Sequence, residues 1–141
     1  MENSIEKLTN LQKEFGYKEG EINSVALLGL FGEAGEVMDE CSFVTDGNAD
    51  AEFYKNDYHY YSPIELKLKA INIAKYIDYL KKLIRSKKAP QFEIKIENEE
   101  NFDKEICDVL YYLNVLAINR GKTLNDYAEI SYQKVMSKKK Q

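Results

Sequence analysis

Cysteine, histidine and proline are scarce in this chain of 141 residues, and each scarcity excludes something. Two cysteines, Cys41 and Cys107, are too few for a disulfide framework. With the single histidine, His59, they cannot supply a standard zinc site. Cys107 falls inside an apolar helical pattern and reads as a small buried hydrophobe. Two prolines and seven glycines leave room for long helices. No run approaches the roughly 18 apolar residues of a membrane-spanning helix. The opening Met-Glu-Asn-Ser-Ile-Glu lacks the basic-then-apolar order of a signal peptide. Basic patches are missing too: the formal net charge is -4, and the one lysine run, Lys138-Lys139-Lys140, is terminal. Neither a nucleic-acid polymer nor a membrane is therefore an expected partner. A reducing cytoplasm is the expected compartment.

The composition, 44% hydrophobic and 31% charged, is that of a globular protein and argues against disorder. A single all-α domain over residues 1–141, a bundle of four to five helices, is expected, with an irregular insertion near 41–63. The first helix should cover 4–16, capped by Ser4, with Ile5, Leu8, Leu11 (or Gln12) and Phe15 on one face and Gly16 as its stop. A second should run from about Asn23 to Glu40. Val25, Leu28, Gly29 and Gly32 form its closely packed face. Helical glycine costs up to about 1 kcal/mol against alanine, so those at 29, 32 and 35 call for close backbone approach.

Asp46-Gly47-Asn48 reads as a turn, and Phe53, Tyr54, Tyr58, Tyr60 and Tyr61 as an ordered, lid-like stretch. A third helix follows from about Pro63 to Lys87, with a stripe of Leu66, Ala70, Ile73, Ile77, Leu80 and Ile84. Phe92, Ile94 and Ile96 alternate with polar residues as a short strand would, and Asn98–Asn101 reads as a loop. The fourth helix should span about 102–120 and stop at Gly121. The fifth should run from a Thr123 cap to about Ser137, turning Leu124, Tyr127, Ala128, Ser131 and Val135 inward.

Two carboxylate pairs stand out. Glu33 and Glu36 are three apart on the second helix, and Glu105 and Asp108 repeat the spacing on the fourth. Like charges so placed repel. Each pair sits among bulky apolar residues, and no lysine or arginine lies three or four positions after any of the four. A hard divalent cation, magnesium or manganese, relieves that repulsion, because carboxylate oxygens suit such ions. A di-iron bundle would need Glu-x-x-His pairs, which are absent. Glu40, four residues after Glu36, is either a further ligand or a solvated helix end.

The run Leu28-Gly29-Leu30-Phe31-Gly32-Glu33-Ala34-Gly35-Glu36-Val37 resembles the first signature of the MazG-type, all-α nucleoside triphosphate pyrophosphohydrolases. Lys104-Glu105-Ile106-Cys107-Asp108-Val109-Leu110-Tyr111-Tyr112-Leu113 resembles the second. The likeness covers about residues 5–40 and 73–138. It departs in two places. Extra residues at about 41–72 separate the two motifs, and the last helix reads Ser131, Lys134 and Lys138 where the family often has Asn-x-x-Lys and an arginine.

The resemblance implies magnesium-dependent hydrolysis of a nucleoside triphosphate to its monophosphate and pyrophosphate. Glu33, Glu36, Glu105 and Asp108 would hold the metal, and Glu36 would act as the base. Tyr112, Lys82, Lys122 and Lys134, with Arg85, would be the substrate contacts. It also implies a homodimer or homotetramer. The rival expectation is a helical binding or assembly module that kept the fold and lost turnover.

Overall fold

The computed structural model describes residues 2–43, 61–91 and 93–139. The turn at 46–48, most of the aromatic stretch, His59 and Phe92 lie outside them. Among the described residues the chain is mostly helical. Its helices are α1 (Ser4–Glu14), α2 (Ser24–Asp39), α3 (Pro63–Arg85), α4 (Glu99–Asn119) and α5 (Leu124–Lys139). Two three-residue strands, β1 (Cys41–Phe43) and β2 (Ile94–Ile96), pair with each other. The chain divides into two compact units. One comprises Met1–Cys41 and Ile96–Gln141 and carries α1, α2, α4 and α5; the other, Ser42–Lys95, carries α3. No described helix is long and apolar enough to cross a membrane.

Local chemistry explains where the helices begin and end. Each N-cap supplies an oxygen to an otherwise unpaired amide of the first turn. The Asn3 side chain accepts from the Glu6 amide at 2.9 Å, so Asn3, not Ser4, caps α1. Asn23 serves Ala26 at 3.0 Å, and Ser62 serves Glu65 at 3.3 Å with Pro63 in the first turn. Asn98 serves Asn101 at 3.0 Å. Residues 98–101 are thus the cap and first turn of α4 rather than the expected loop. Glu99 and Glu100 there favour the positive helix end. Thr123 and Asp126 cap α5 reciprocally, at 3.0 and 2.9 Å. Gly16 (φ 102°) and Gly121 (φ 67°) adopt the left-handed geometry that ends α1 and α4.

In the larger unit, α1, α2 and α5 all pack on α4. Buried apolar residues are few: Ala26, Val115, Ala117 and Ile118. Gln12, Asn114 and Asn119 are buried with them, and all three are hydrogen-bonded. The Gln12 Nε2 donates to the Tyr111 carbonyl at 3.0 Å, and Asn114 Nδ2 donates to Gln12 Oε1 at 2.6 Å and Thr9 Oγ1 at 3.1 Å. This seam turns inward Gln12, the stated alternative to Leu11 on the expected α1 face, and leaves Leu11 (46%) and Phe15 (65%) exposed. Asn119 accepts from the Asn23 amide at 2.9 Å and donates to the Lys18 carbonyl at 3.0 Å, tying the start of α2 to the end of α4.

The two helices run antiparallel from that tie. Six residues along α2, a Cβ added to Gly29 would meet the Tyr112 ring at 2.7 Å. This is the close approach expected of the glycines, but it occurs only at Gly29. A Cβ added to Gly32 or Gly35 would meet nothing within 4 Å. The packed face of α2 is Ala26, Gly29, Leu30, Glu33 and Val37, whereas Val25 and Leu28 of the expected face are 61% and 56% exposed. The α5 residues expected inside fare similarly: Leu124 is half-buried, but Val135 is 61% exposed.

Gly29→Ala should destabilise the fold by roughly 1–3 kcal/mol, because the Tyr112 ring cannot yield without moving α4. Gly32→Ala and Gly35→Ala should each be neutral or gain up to about 1 kcal/mol. Urea unfolding of the three variants checks the contrast.

Candidate metal centre

The Gly29–Tyr112 contact positions acid. Glu33 follows Gly29 by about one turn of α2, and Asp108 and Glu105 precede Tyr112 by about one and two turns of α4. Since the helices are antiparallel, the three side chains converge. One carboxylate oxygen of each lies within 4.8 Å of the others. Glu33 and Glu105 are half-buried at the helix seam, and Asp108 is exposed.

The electrostatics follow from that crowding. The Glu105 carboxyl is pushed above its ordinary value of 4.5, first by desolvation in the seam, then by its hydrogen bond to Glu33 and the negative charges of Glu33, Asp108 and Glu40. No ion pair found among the described residues includes a member of the cluster. Asp78 on α3 shows the opposite case. Hydrogen bonds from Lys81 and Lys82 hold its carboxyl down at about 2. A carboxylate with a cation nearby ionises more readily, as Asp78 does, and Glu105, desolvated and beside other carboxylates, ionises less readily. The donors are all hard carboxylate oxygens. That set fits magnesium or manganese better than zinc or copper.

The remaining expected residues are placed as follows. Glu36 is exposed and stands outside the cluster. Glu40, which caps the end of α2, is close enough to raise Glu105. Helix geometry explains the difference. At about 3.6 residues per turn, Glu40 returns to within about 20° of Glu33, whereas Glu36 is turned aside by about 60°. Tyr112 is half-buried, with its ring on Gly29 and edge-on to Tyr111 at 5.4 Å between centroids. Lys122 and Lys134 are exposed and do not enter the cluster. Lys82 is held by Asp78 at 3.0 Å within the other unit, and Arg85 is exposed there. Cys107 is exposed rather than buried, since its position on α4 turns it away from α2.

Sequence reasoning missed the polar seam of Gln12, Asn114 and Asn119. The available signal was three amides at inward positions of otherwise apolar helical stripes. Tyr111 belongs to the same seam. Burial is the main reason its hydroxyl is raised, followed by Tyr17, which also hydrogen-bonds it. Comparison with known protein families, with curated proteins and with solved structures finds no match.

Because Glu105 binds its proton more tightly folded than unfolded, that contribution to stability is full below pH 4.5 and is lost as pH rises through the raised value. At neutral pH metal-free Glu105 therefore opposes folding. Glu105→Gln should raise the melting temperature of the metal-free protein at pH 7.5. Millimolar magnesium or manganese should stabilise the natural chain there and have no such effect on the variant. Thermal scans with and without a chelator check both outcomes.

Proposed function

We propose that this chain is a magnesium-dependent nucleoside triphosphate pyrophosphohydrolase of the MazG type, with manganese as an alternative metal. The convergence of Glu33, Glu105 and Asp108 within 4.8 Å, with no cation paired to them among the described residues, carries the reading. The paired signatures around Glu33/Glu36 and Glu105/Asp108 support it. These three carboxylates would hold the metal, and Glu40 would add negative charge at its margin. A metal bound there supplies charge to offset the phosphate oxygens and lowers the pKa of a water.

The chain's own residues do the rest. Glu36, exposed beside the cluster, accepts the proton of the attacking water. Tyr112 orients the nucleotide by stacking or through its hydroxyl. Lys122 and Lys134 offer charge to the phosphates, whereas Lys82 is already engaged by Asp78 and has no part in this reading. The setting is a reducing cytoplasm, in which Cys41 and Cys107 stay free.

Two observations favour a second reading, a metal-binding helical module without turnover. Glu36 stands apart from the other carboxylates, and the last helix has Ser131 where the resembled pattern has asparagine.

Pyrophosphate release with a panel of ribo- and deoxynucleoside triphosphates, magnesium and pH 7 to 9.5 separates the two. At least one substrate should be turned over. Asp108→Asn should reduce the rate to background, and Glu36→Gln should lower it at least about 100-fold with helix content preserved. Absence of release across the whole panel would establish the second reading. Full activity in both variants would refute the site.

A further inference from the structure

Three contacts between α2 and α4 follow one another along the seam. The Asn23 amide donates to Asn119 Oδ1 at 2.9 Å. Six residues on, about 9 Å along the axis, Gly29 meets the Tyr112 ring. Four residues further, about 6 Å beyond, Glu33 lies within 4.8 Å of Glu105 and Asp108. All of these residues belong to the larger unit.

The middle contact is a stop without slack. A Cβ at Gly29 would lie 2.7 Å from Cδ2 and Cε2 of the Tyr112 ring and 2.9 Å from its Cγ. Tyr112 is held in its turn. Its neighbour Tyr111 stands edge-on to it, and the Tyr111 carbonyl accepts from buried Gln12 at 3.0 Å. Any side chain at position 29 must therefore move α2 outward. Reaching ordinary contact takes the added carbon from 2.7 Å to at least 3.4 Å, a shift of about 0.7 Å. Pivoted at the Asn23–Asn119 tie, the shift grows with distance along the helix and reaches about 1 Å at Glu33.

A displacement of that size separates cations by radius. Magnesium demands near-ideal octahedral oxygen geometry at about 2.1 Å, whereas calcium accepts more oxygens at about 2.3–2.6 Å in looser arrangements. We infer that Gly29 and Tyr112 form a size filter, whose contact holds Glu33 against Glu105 and Asp108 at a spacing that takes a small divalent cation in preference to a large one. The inference rests on reading the cluster as a metal centre. Tyr112 acts here as a positioning residue, through its ring carbons and not its hydroxyl. Gly32 and Gly35 take no part, because a Cβ on either would meet nothing within 4 Å.

Manganese binding, read by electron paramagnetic resonance with magnesium and calcium as competitors, tests this on the full chain without nucleotide. The natural chain should prefer magnesium to calcium. Gly29→Ala should weaken manganese and magnesium at least about tenfold and calcium by less. Gly32→Ala, Gly35→Ala and Tyr112→Phe, which keeps the ring, should bind as the natural chain does. Adding Tyr112→Ala to Gly29→Ala removes the ring atoms that the new Cβ meets, and should bind manganese at least about threefold more tightly than Gly29→Ala alone. Loss of stability by itself would weaken all three cations alike, and a second destabilising substitution would not reverse it. Unchanged affinities in Gly29→Ala, magnesium and calcium weakened equally, or a double variant no tighter than the single one would each overturn the inference. If circular dichroism shows that Gly29→Ala loses helix, Tyr112→Ala is compared with Tyr112→Phe. The first should lose the preference for magnesium and the second keep it, and equal preference in the two would overturn the filter. A natural chain that binds the ions but prefers calcium overturns the filter alone. One that binds none of the three overturns the metal reading and the filter with it.

Discussion

Much of the larger unit depends on one close contact, the Tyr112 ring against the backbone of Gly29. A glycine inside a helix costs up to about 1 kcal/mol relative to alanine. Here it lets α2 and α4 approach more closely than any side chain would permit. The Asn23–Asn119 hydrogen bond sets the register at one end, and the ring sets the spacing six residues further on. With both fixed, Glu33 has nowhere to go but against Glu105. The acidic cluster is a consequence of helix packing, not of any loop shaped for the purpose.

That packing places the acid in an unfavourable setting. A carboxylate at a helix seam loses hydration, and two more beside it repel it. The raised Glu105 carboxyl registers both effects. Asp78 meets no such difficulty, because Lys81 and Lys82 lie within reach on its own helix. The contrast between these two carboxylates, one satisfied locally and one not, is the physical basis for the proposed metal.

The two flanks of the α2–α4 pair divide the labour. The α1 side is sealed by amides, whose directional hydrogen bonds fix one register. The opposite side carries exposed apolar residues, Leu27, Phe31 and Met38 of α2 and Ile106, Leu110 and Leu113 of α4, whose contacts are non-directional.

What was legible in the sequence was local. The helices, their glycine stops, most caps and the pairing of carboxylates within each helix depend on residues three or four apart, and such interactions are written in order along the chain. Even the failures at this level were small: Asn3 displaced Ser4 as a cap, and α4 began at Glu99 instead of at about residue 102. The larger departures all concern which side of a helix faces inward. Gln12 displaced Leu11, Ala26 displaced Val25, Glu40 came nearer the cluster than Glu36, and Cys107 turned outward. Neighbouring stripes on an apolar helix differ by about 100° of rotation and very little in hydrophobicity. Periodicity cannot choose between them, and only the partner helix, through a ring on a glycine and a few buried amides, makes the choice.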